Sequence, residues 1–157
     1  MSTWDEFAAA APELAAAGRK LIFQYGPGLV FLATIRPDGG PRLHPVCANI
    51  VDGELHLLIV DSPKRFDLLR DGRFALHSFP PVDVDDEFYL TGRAIHCADP
   101  QALARVEAAQ HASGATTSGN ELLFRLDLER ALHARYGPRG TPGAFPPEYV
   151  RWSAGRC

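Results

Sequence analysis

The feature that most constrains the fold of this chain is a series of short apolar segments separated by tight-turn residues. Glycine, proline and aspartate bound these segments, as in PDGGP (37–41) between the first two. Such spacing is typical of β-strands joined by hairpins. The segments are LVFLATIR (29–36), RLHPVCANIV (42–51), LHLLIV (55–60), RFALHSF (73–79), EFYLTGRAIHCA (87–98) and ELLFRLDL (121–128). The sequence therefore predicts roughly six strands, mostly antiparallel.

Helical patterns occur only at the start of the chain and in two connections. Thr3 and Glu6 have the spacing of a capping box, and Pro12 is expected to kink or restart this first helix. Further helices are predicted to begin at Ser62 and after Asp99. A doubly wound parallel sheet would need regular alternation of strand and helix, which is absent. We expect a mainly β fold, an antiparallel β-barrel or sandwich with appended helices.

The composition is that of a single globular domain. Of the 157 residues, 46% are hydrophobic and 22% are charged. We expect one domain over residues 1–157, with an N-terminal helical segment (1–24) and an irregular arm (135–157) rich in proline and glycine. The aromatic residues expected to pack the arm against the domain are Phe145, Tyr149 or Trp152.

Charge and cysteine usage narrow the function classes. The formal net charge of -3 gives no reason to expect nucleic acid as a partner. No apolar run is long enough to span a bilayer, and the N-terminus lacks the pattern of a secretory signal. The 3 cysteines are widely spaced, which suggests neither a disulfide framework nor a zinc site. We expect a cytoplasmic protein that binds neither nucleic acid nor membranes.

The segment SPKRFDLLRDGR (62–73) carries an unusual helix start. Ser62 is placed as an N-cap and Pro63 at the first helical position, yet Lys64 and Arg65 add positive charge to a turn that is already partly positive. The Ser62 hydroxyl, the Lys64 ammonium and the free amides of Lys64 and Arg65 would together bind an anion. An ordinary solvated helix terminus could look the same.

The strand 42–51 carries a candidate partner for this helix start. Alternation divides its first half into two faces, one with Arg42, His44 and Val46 and the other with Leu43 and Pro45. Because Pro45 lacks an N–H, this part of the strand should lie at an edge or a bulge. If the strand ending at Val60 lies beside it, the Arg42 guanidinium can bind the same anion.

In this order and spacing, these elements resemble the pyridoxamine 5'-phosphate oxidase-like family of FMN-binding split β-barrel proteins. The resemblance covers residues 29–96, through LVFLATIRPDGGPRLHPV, VDGELHLLIVDSPKRFDLLRDGRFALHSF and DDEFYLTGRAI. It implies a homodimer with FMN in clefts at the subunit interface and with the phosphate held by Arg42, Ser62 and Lys64. The cofactor-binding residues that it implies are Arg42, Leu43, His44, Pro45, Val46, Ile59, Val60, Ser62, Pro63 and Lys64.

The resemblance implies an FMN-dependent oxidoreductase that transfers hydride between the flavin and a small organic substrate. Glu87 stands where relatives carry a glutamine near the flavin, and an ionised carboxylate cannot donate a hydrogen bond there. The arm offers Arg151 and Arg156 but not the arginine and histidine pattern that holds the substrate of the authentic oxidase, so pyridoxal phosphate synthesis is not expected.

The same fold leaves other cofactors and roles open. It hosts reductases that use a deazaflavin coenzyme and proteins that bind haem, so a deazaflavin reductase and a non-enzymatic flavin or haem carrier are the alternatives. No catalytic side chain can be named, and the histidines lack metal-ligand spacing.

Overall fold

The computed structural model describes residues 1–155, which contain seven strands and four helices. Arg156 and Cys157 lie outside the described residues. The helices are α1 (Trp4–Ala10), α2 (Pro12–Ile22), α3 (Pro63–Arg70) and α4 (Pro100–Ala112). The strands are β1 (Gly28–Ile35), β2 (Pro41–Val51), β3 (Glu54–Ile59), β4 (Arg73–Ser78), β5 (Glu87–Cys97), β6 (Leu122–Arg135) and β7 (Glu148–Ser153).

The strands form a closed antiparallel barrel with one added strand. Their order is β3-β2-β1-β4-β5-β6-β7, and pairing of β3 with β6 closes the first six into a barrel. β7 extends the sheet from the free edge of β6. The prediction of a mainly β, antiparallel barrel with appended helices is confirmed.

The barrel separates between β2 and β3. β2 pairs with β1 from Pro41 to Ala48, but with β3 only from Ala48 to Val51. β3 then continues beside β6 as far as Ile59. Within the described residues, β2 therefore has no strand partner on its second edge before Ala48. This confirms that Pro45 lies on an edge segment, where its missing N–H breaks no ladder on that side.

The main core fills the barrel and the space beneath the N-terminal helices. The capping box of α1 is present, with Glu6 accepting from the Thr3 amide at 2.9 Å, and Pro12 opens α2 as a new helix. Trp4 and Phe7 of α1 are buried in this core. A smaller cluster of Leu58, Val106 and Leu123 lies under α4. None of the helices in residues 1–155 has the length and apolar character needed to cross a membrane.

The C-terminal region differs from the sequence prediction. The strand predicted over 121–128 continues to Arg135, and the arm expected to be irregular contains β7. Trp152 packs against Phe7, with ring centroids 4.8 Å apart, whereas Phe145 is 75% exposed and does not anchor the arm. The predicted strand ended too early because β6 contains a bulge, at the Thr91/Gly92 register shift, that interrupts its alternation just after Leu128.

Candidate functional site

The structure brings Arg42 and α3 together at the separation between β2 and β3. Arg42 stands opposite Thr34 in the β1–β2 ladder, and its Nε donates to the Asp67 carboxylate of α3 at 2.7 Å. Asp67 lies three residues after Lys64, so it is about one helical turn from the helix start. The guanidinium and the amino end of α3 therefore lie on the same part of the surface.

Asp67 is a buried carboxylate that fixes the position of Arg42. It is only 2% exposed and accepts hydrogen bonds from Thr34 Oγ1 at 2.9 Å and from Arg42 Nε. Arg70 Nη1 adds a longer contact of 3.4 Å. Burial acts to raise the pKa of Asp67, but the hydrogen bonds from Arg42 and Thr34 outweigh it and hold this pKa below its usual value. The carboxylate is thus ionised at neutral pH.

Sequence reasoning missed Asp67, although a signal was present. A charged residue between Phe66 and the apolar Leu68 of a short helix needs a partner if it faces the core. Arg42 was the candidate partner, because it had already been expected beside this helix. The pairing makes Asp67 a positioning residue rather than a ligand contact.

The remaining nitrogens of Arg42 face no acceptor in the described part of the chain. The bond to Asp67 uses Nε, and within residues 1–155 neither Nη1 nor Nη2 makes a hydrogen bond. The side chain is 25% exposed. Two N–H bearing nitrogens in one plane can bind an oxyanion in bidentate fashion.

The two cations in the first turn of α3 have different surroundings. Arg65 is 2.6 Å from the Asp61 carboxylate and donates to the Asn120 carbonyl at 2.8 Å, and its amide donates to the Ser62 carbonyl. The expected anion contact of the Arg65 amide is therefore wrong. Lys64 forms no ion pair within residues 1–155, and partial burial lowers its pKa. Lys64 is the first-turn cation that is available to an anion.

Ser62 begins α3 without capping it. Its Oγ donates to the Val60 carbonyl at 2.8 Å, so the N-cap hydrogen bond expected from the sequence is absent. The hydroxyl oxygen can still accept or redirect its proton toward a ligand. Pro63 is exposed at the first helical position.

Ile59 and Val60 lie at the end of β3. Val60 is the first residue after the strand and is exposed, while the Ile59 side chain is fully buried in the core. Only the backbone of Ile59 can therefore serve a ligand.

The predicted alternation along β2 is present in the structure. Arg42, His44 and Val46 are half-buried on one face, and Leu43 and Pro45 are exposed on the other. Burial lowers the pKa of His44, and the positive charges of Lys64 and Arg42 lower it further. His44 is therefore neutral at neutral pH, close to both cations.

The charge balance of this cluster suits an anion. Arg42 and Lys64 are both cationic, while Asp67 is the carboxylate that touches Arg42. The free Nη atoms of Arg42 and the unpaired Lys64 ammonium can neutralise a phosphate group, so these residues fit the phosphate of FMN. In the described ranges no group of three or more histidine, cysteine or acidic residues could hold a metal ion.

The cluster lies on an open surface of the single chain. Neither Arg42 nor Lys64 lines any of five prominent cavities within residues 1–155. A planar ligand lying along β2 would therefore remain partly exposed unless another chain covered it.

Comparison with known proteins shows the fold. No protein-family model matches the sequence, and no curated protein matches it. A conserved hypothetical protein from Mycobacterium tuberculosis is 26% identical, with a TM-score of 0.57 over 66% of this chain and 74% of that one. A heme-binding protein from Mycobacterium smegmatis is 18% identical, with a TM-score of 0.60 over 86% of this chain and 57% of that one. An F420 reductase is 12% identical, with a TM-score of 0.57 over 71% of this chain and 94% of that one.

The structural similarity covers different shares of the two proteins. This chain spans a little over half the length of the heme-binding protein and nearly all of the F420 reductase. It shares the split β-barrel fold with proteins of both kinds.

Proposed function

We propose that this chain is an FMN-binding oxidoreductase of the pyridoxamine 5'-phosphate oxidase-like family, with the FMN phosphate bound between Arg42 and the start of α3. The observation that carries this proposal is the contact of Arg42 with α3 at 2.7 Å, which leaves its Nη atoms unpaired. Lys64, in the first turn of the same helix, has no ion pair within residues 1–155, and the positive charges of both residues act on His44. When bound, the flavin supplies the hydride-transfer chemistry. The residues of the chain bind and orient it.

The phosphate and the ring system would use different parts of the site. Arg42, Ser62, Lys64 and the Lys64 amide would hold the phosphate, since Pro63 has no amide and that of Arg65 is occupied. The unpaired edge of β2 from Leu43 to Val46 would offer backbone groups to the ribityl chain and the flavin. Backbone N–H and C=O groups on such an edge need partners when they are covered.

A homodimer would cover this site. Leu43 is 64% exposed on the outer face of β2, and Phe66 of α3 is 59% exposed. Exposed apolar residues beside an open ligand site are typical of an interface. We infer that a second copy packs here and closes the flavin cleft over a small organic substrate.

Two other cofactors are the alternatives. A neutral His44 imidazole beside the site could ligate haem, and the shared fold includes an F420 reductase and a heme-binding protein. The visible spectrum of the purified protein separates the three: a flavin spectrum, a Soret band, or no colour until a deazaflavin coenzyme is added.

The phosphate assignment is tested by comparing FMN with riboflavin, which lacks the phosphate. In fluorescence titrations, Lys64→Ala should weaken FMN binding by about 10-fold to 100-fold, the loss of one charge-assisted contact, and should leave riboflavin binding nearly unchanged. Arg65→Ala is the matched control, because that neighbouring cation is already paired with Asp61.

Two results would contradict the assignment. One is an equal loss of FMN and riboflavin affinity in Lys64→Ala. The other is a selective loss of FMN affinity in Arg65→Ala that matches the loss in Lys64→Ala.

A further inference from the structure

A cavity on the outer face of the barrel is lined by none of the residues proposed to hold the FMN phosphate. Its volume is about 520 Å³, within the range of small-molecule sites. It lies where β1, β4 and β5 meet the segment after β6. The lining residues are Phe31, His77, Ser78, Pro80, Asp85, Asp86, Glu87 and Tyr136.

The cavity begins beside the strand that is proposed to carry the flavin. Pro45 pairs with Phe31 across β2 and β1, and Phe31 pairs with His77 across β1 and β4. At about 4.8 Å per strand, His77 is roughly 10 Å from Pro45 on the same sheet face. A molecule in the cavity would therefore lie next to a flavin ring bound on the Pro45 side of β2, the side opposite to the one that Arg42 and His44 face.

One wall of the cavity is aromatic and flat. The Phe31 ring stacks on Phe79 with centroids 4.3 Å apart and planes inclined by 16°. Because Phe79 supports the ring from behind, Phe31 presents a rigid apolar face. Such a face favours a planar ring as its partner.

The cavity is also lined by three carboxylates. Asp85 is paired with Arg139 at 2.7 Å, and Asp86 accepts from the Tyr136 amide at 2.8 Å. Glu87 lies 3.8 Å from His77 and close to the Tyr136 phenol, and it has no arginine or lysine partner within residues 1–155. No lysine or arginine lines the cavity in the described part of the chain. Even with Arg139 counted, carboxylates outnumber cations around this space, so it disfavours anions.

The phenol of Tyr136 also lines the cavity, within hydrogen-bonding reach of the Glu87 carboxylate. Desolvation raises the pKa of Tyr136, and the negative charge of Glu87 raises it further. The phenol therefore keeps its proton at neutral pH. A neutral polar group or a cation on the ligand could bind here through Tyr136 and Glu87.

We propose that this cavity binds the organic substrate, and that the substrate is a planar aromatic molecule, neutral or cationic, without a phosphate or carboxylate. The identification as a substrate site rests on the proposed function. The charge preference is a property of the cavity itself. It also gives a physical reason against pyridoxamine 5'-phosphate as the substrate, because its phosphate would lie among three carboxylates of which only Asp85 is paired with an arginine.

The test uses three probes that share a benzyl group and carry a positive, a neutral or a negative substituent: benzylamine, benzyl alcohol and benzyl phosphate. Each is titrated into the full-length protein with FMN added, and binding is followed by NMR shifts at His77 and Tyr136. We expect benzylamine to bind at least threefold more tightly than benzyl alcohol, and benzyl phosphate at least tenfold more weakly. Glu87→Gln should reduce the preference for the amine, while Glu13→Gln, an exposed residue of α2, should not.

The outcomes separate this inference from the proposed function. If FMN binds and benzyl phosphate shifts these residues as strongly as benzylamine does, the inference is wrong and the flavin assignment stands. Shifts confined to residues outside the cavity would overturn it as well. If the protein takes up no FMN, the proposed function fails, and with it the assignment of the cavity as a substrate site.

Discussion

Asp67 determines how Arg42 is presented to a ligand. By occupying Nε, it turns the two Nη atoms away from itself and holds them in one plane. We expect Asp67→Asn to weaken FMN binding by roughly tenfold while riboflavin binding changes little, because only the phosphate uses these atoms. Equal losses of FMN and riboflavin affinity in fluorescence titrations would show that Asp67 has only a structural role.

The same carboxylate makes stability depend on pH. Since its pKa is lower in the folded chain than in the unfolded one, ionised Asp67 stabilises the fold above about pH 4. This contribution is lost as the pH falls through the folded pKa. Between pH 7 and pH 2, the free energy of unfolding measured in urea should fall more steeply for the native chain than for Asp67→Asn. Parallel pH dependences for the two proteins would contradict this role of Asp67.

Arg42 and Lys64 could be predicted as site residues because their signals are local, a strand alternation and a helix start. The contact of Arg65 with the Asn120 carbonyl could not be predicted, since Asn120 lies 55 residues away. The ion pair of Arg65 with Asp61, by contrast, is a local i, i+4 contact. The Ser62 hydroxyl was also mispredicted. Its bond to Val60 replaces an N-cap bond that the same sequence would permit equally well.

The contact between α2 and β5 depends on a glycine. A Cβ at Gly18 would lie 2.3 Å from the ring of Phe88, which is 2% exposed and cannot move aside easily. We expect Gly18→Ala to reduce the free energy of unfolding by about 1–3 kcal/mol, despite the better helix propensity of alanine.

A double variant separates the clash with Phe88 from the change in helix propensity at position 18. Adding Phe88→Leu to Gly18→Ala removes the clash and should restore part of the lost stability in thermal unfolding. If Gly18→Ala alone is as stable as the native chain, this close contact does not constrain the fold.

Strand prediction succeeded where one face is buried and failed where it is not. β1 alternates regularly between buried and half-buried residues, whereas five of the six residues of β7 are exposed. An edge strand of that kind carries no apolar period. The second half of β6 was missed for another reason, because the bulge places Glu129 and Arg130 side by side on the surface and interrupts the alternation.

The proposed dimer gives an expectation for the whole molecule. Light scattering after size exclusion should report a mass near twice 17.1 kDa. Leu43→Arg should shift the protein toward monomers and weaken FMN and riboflavin alike, since the charge would be buried at the interface. Val82→Arg, at another exposed apolar residue in a loop, is the control. A stable monomer that binds FMN tightly would rule out the dimer.

The most direct test of the proposed function is a double-mutant cycle on FMN affinity with Arg42→Ala, Lys64→Ala and the double variant. If both side chains bind one phosphate, their effects on FMN should be coupled by about 0.5–3 kcal/mol, and their effects on riboflavin should not be coupled. Strictly additive losses for FMN, or the same coupling for riboflavin, would show that Arg42 and the start of α3 do not share a phosphate.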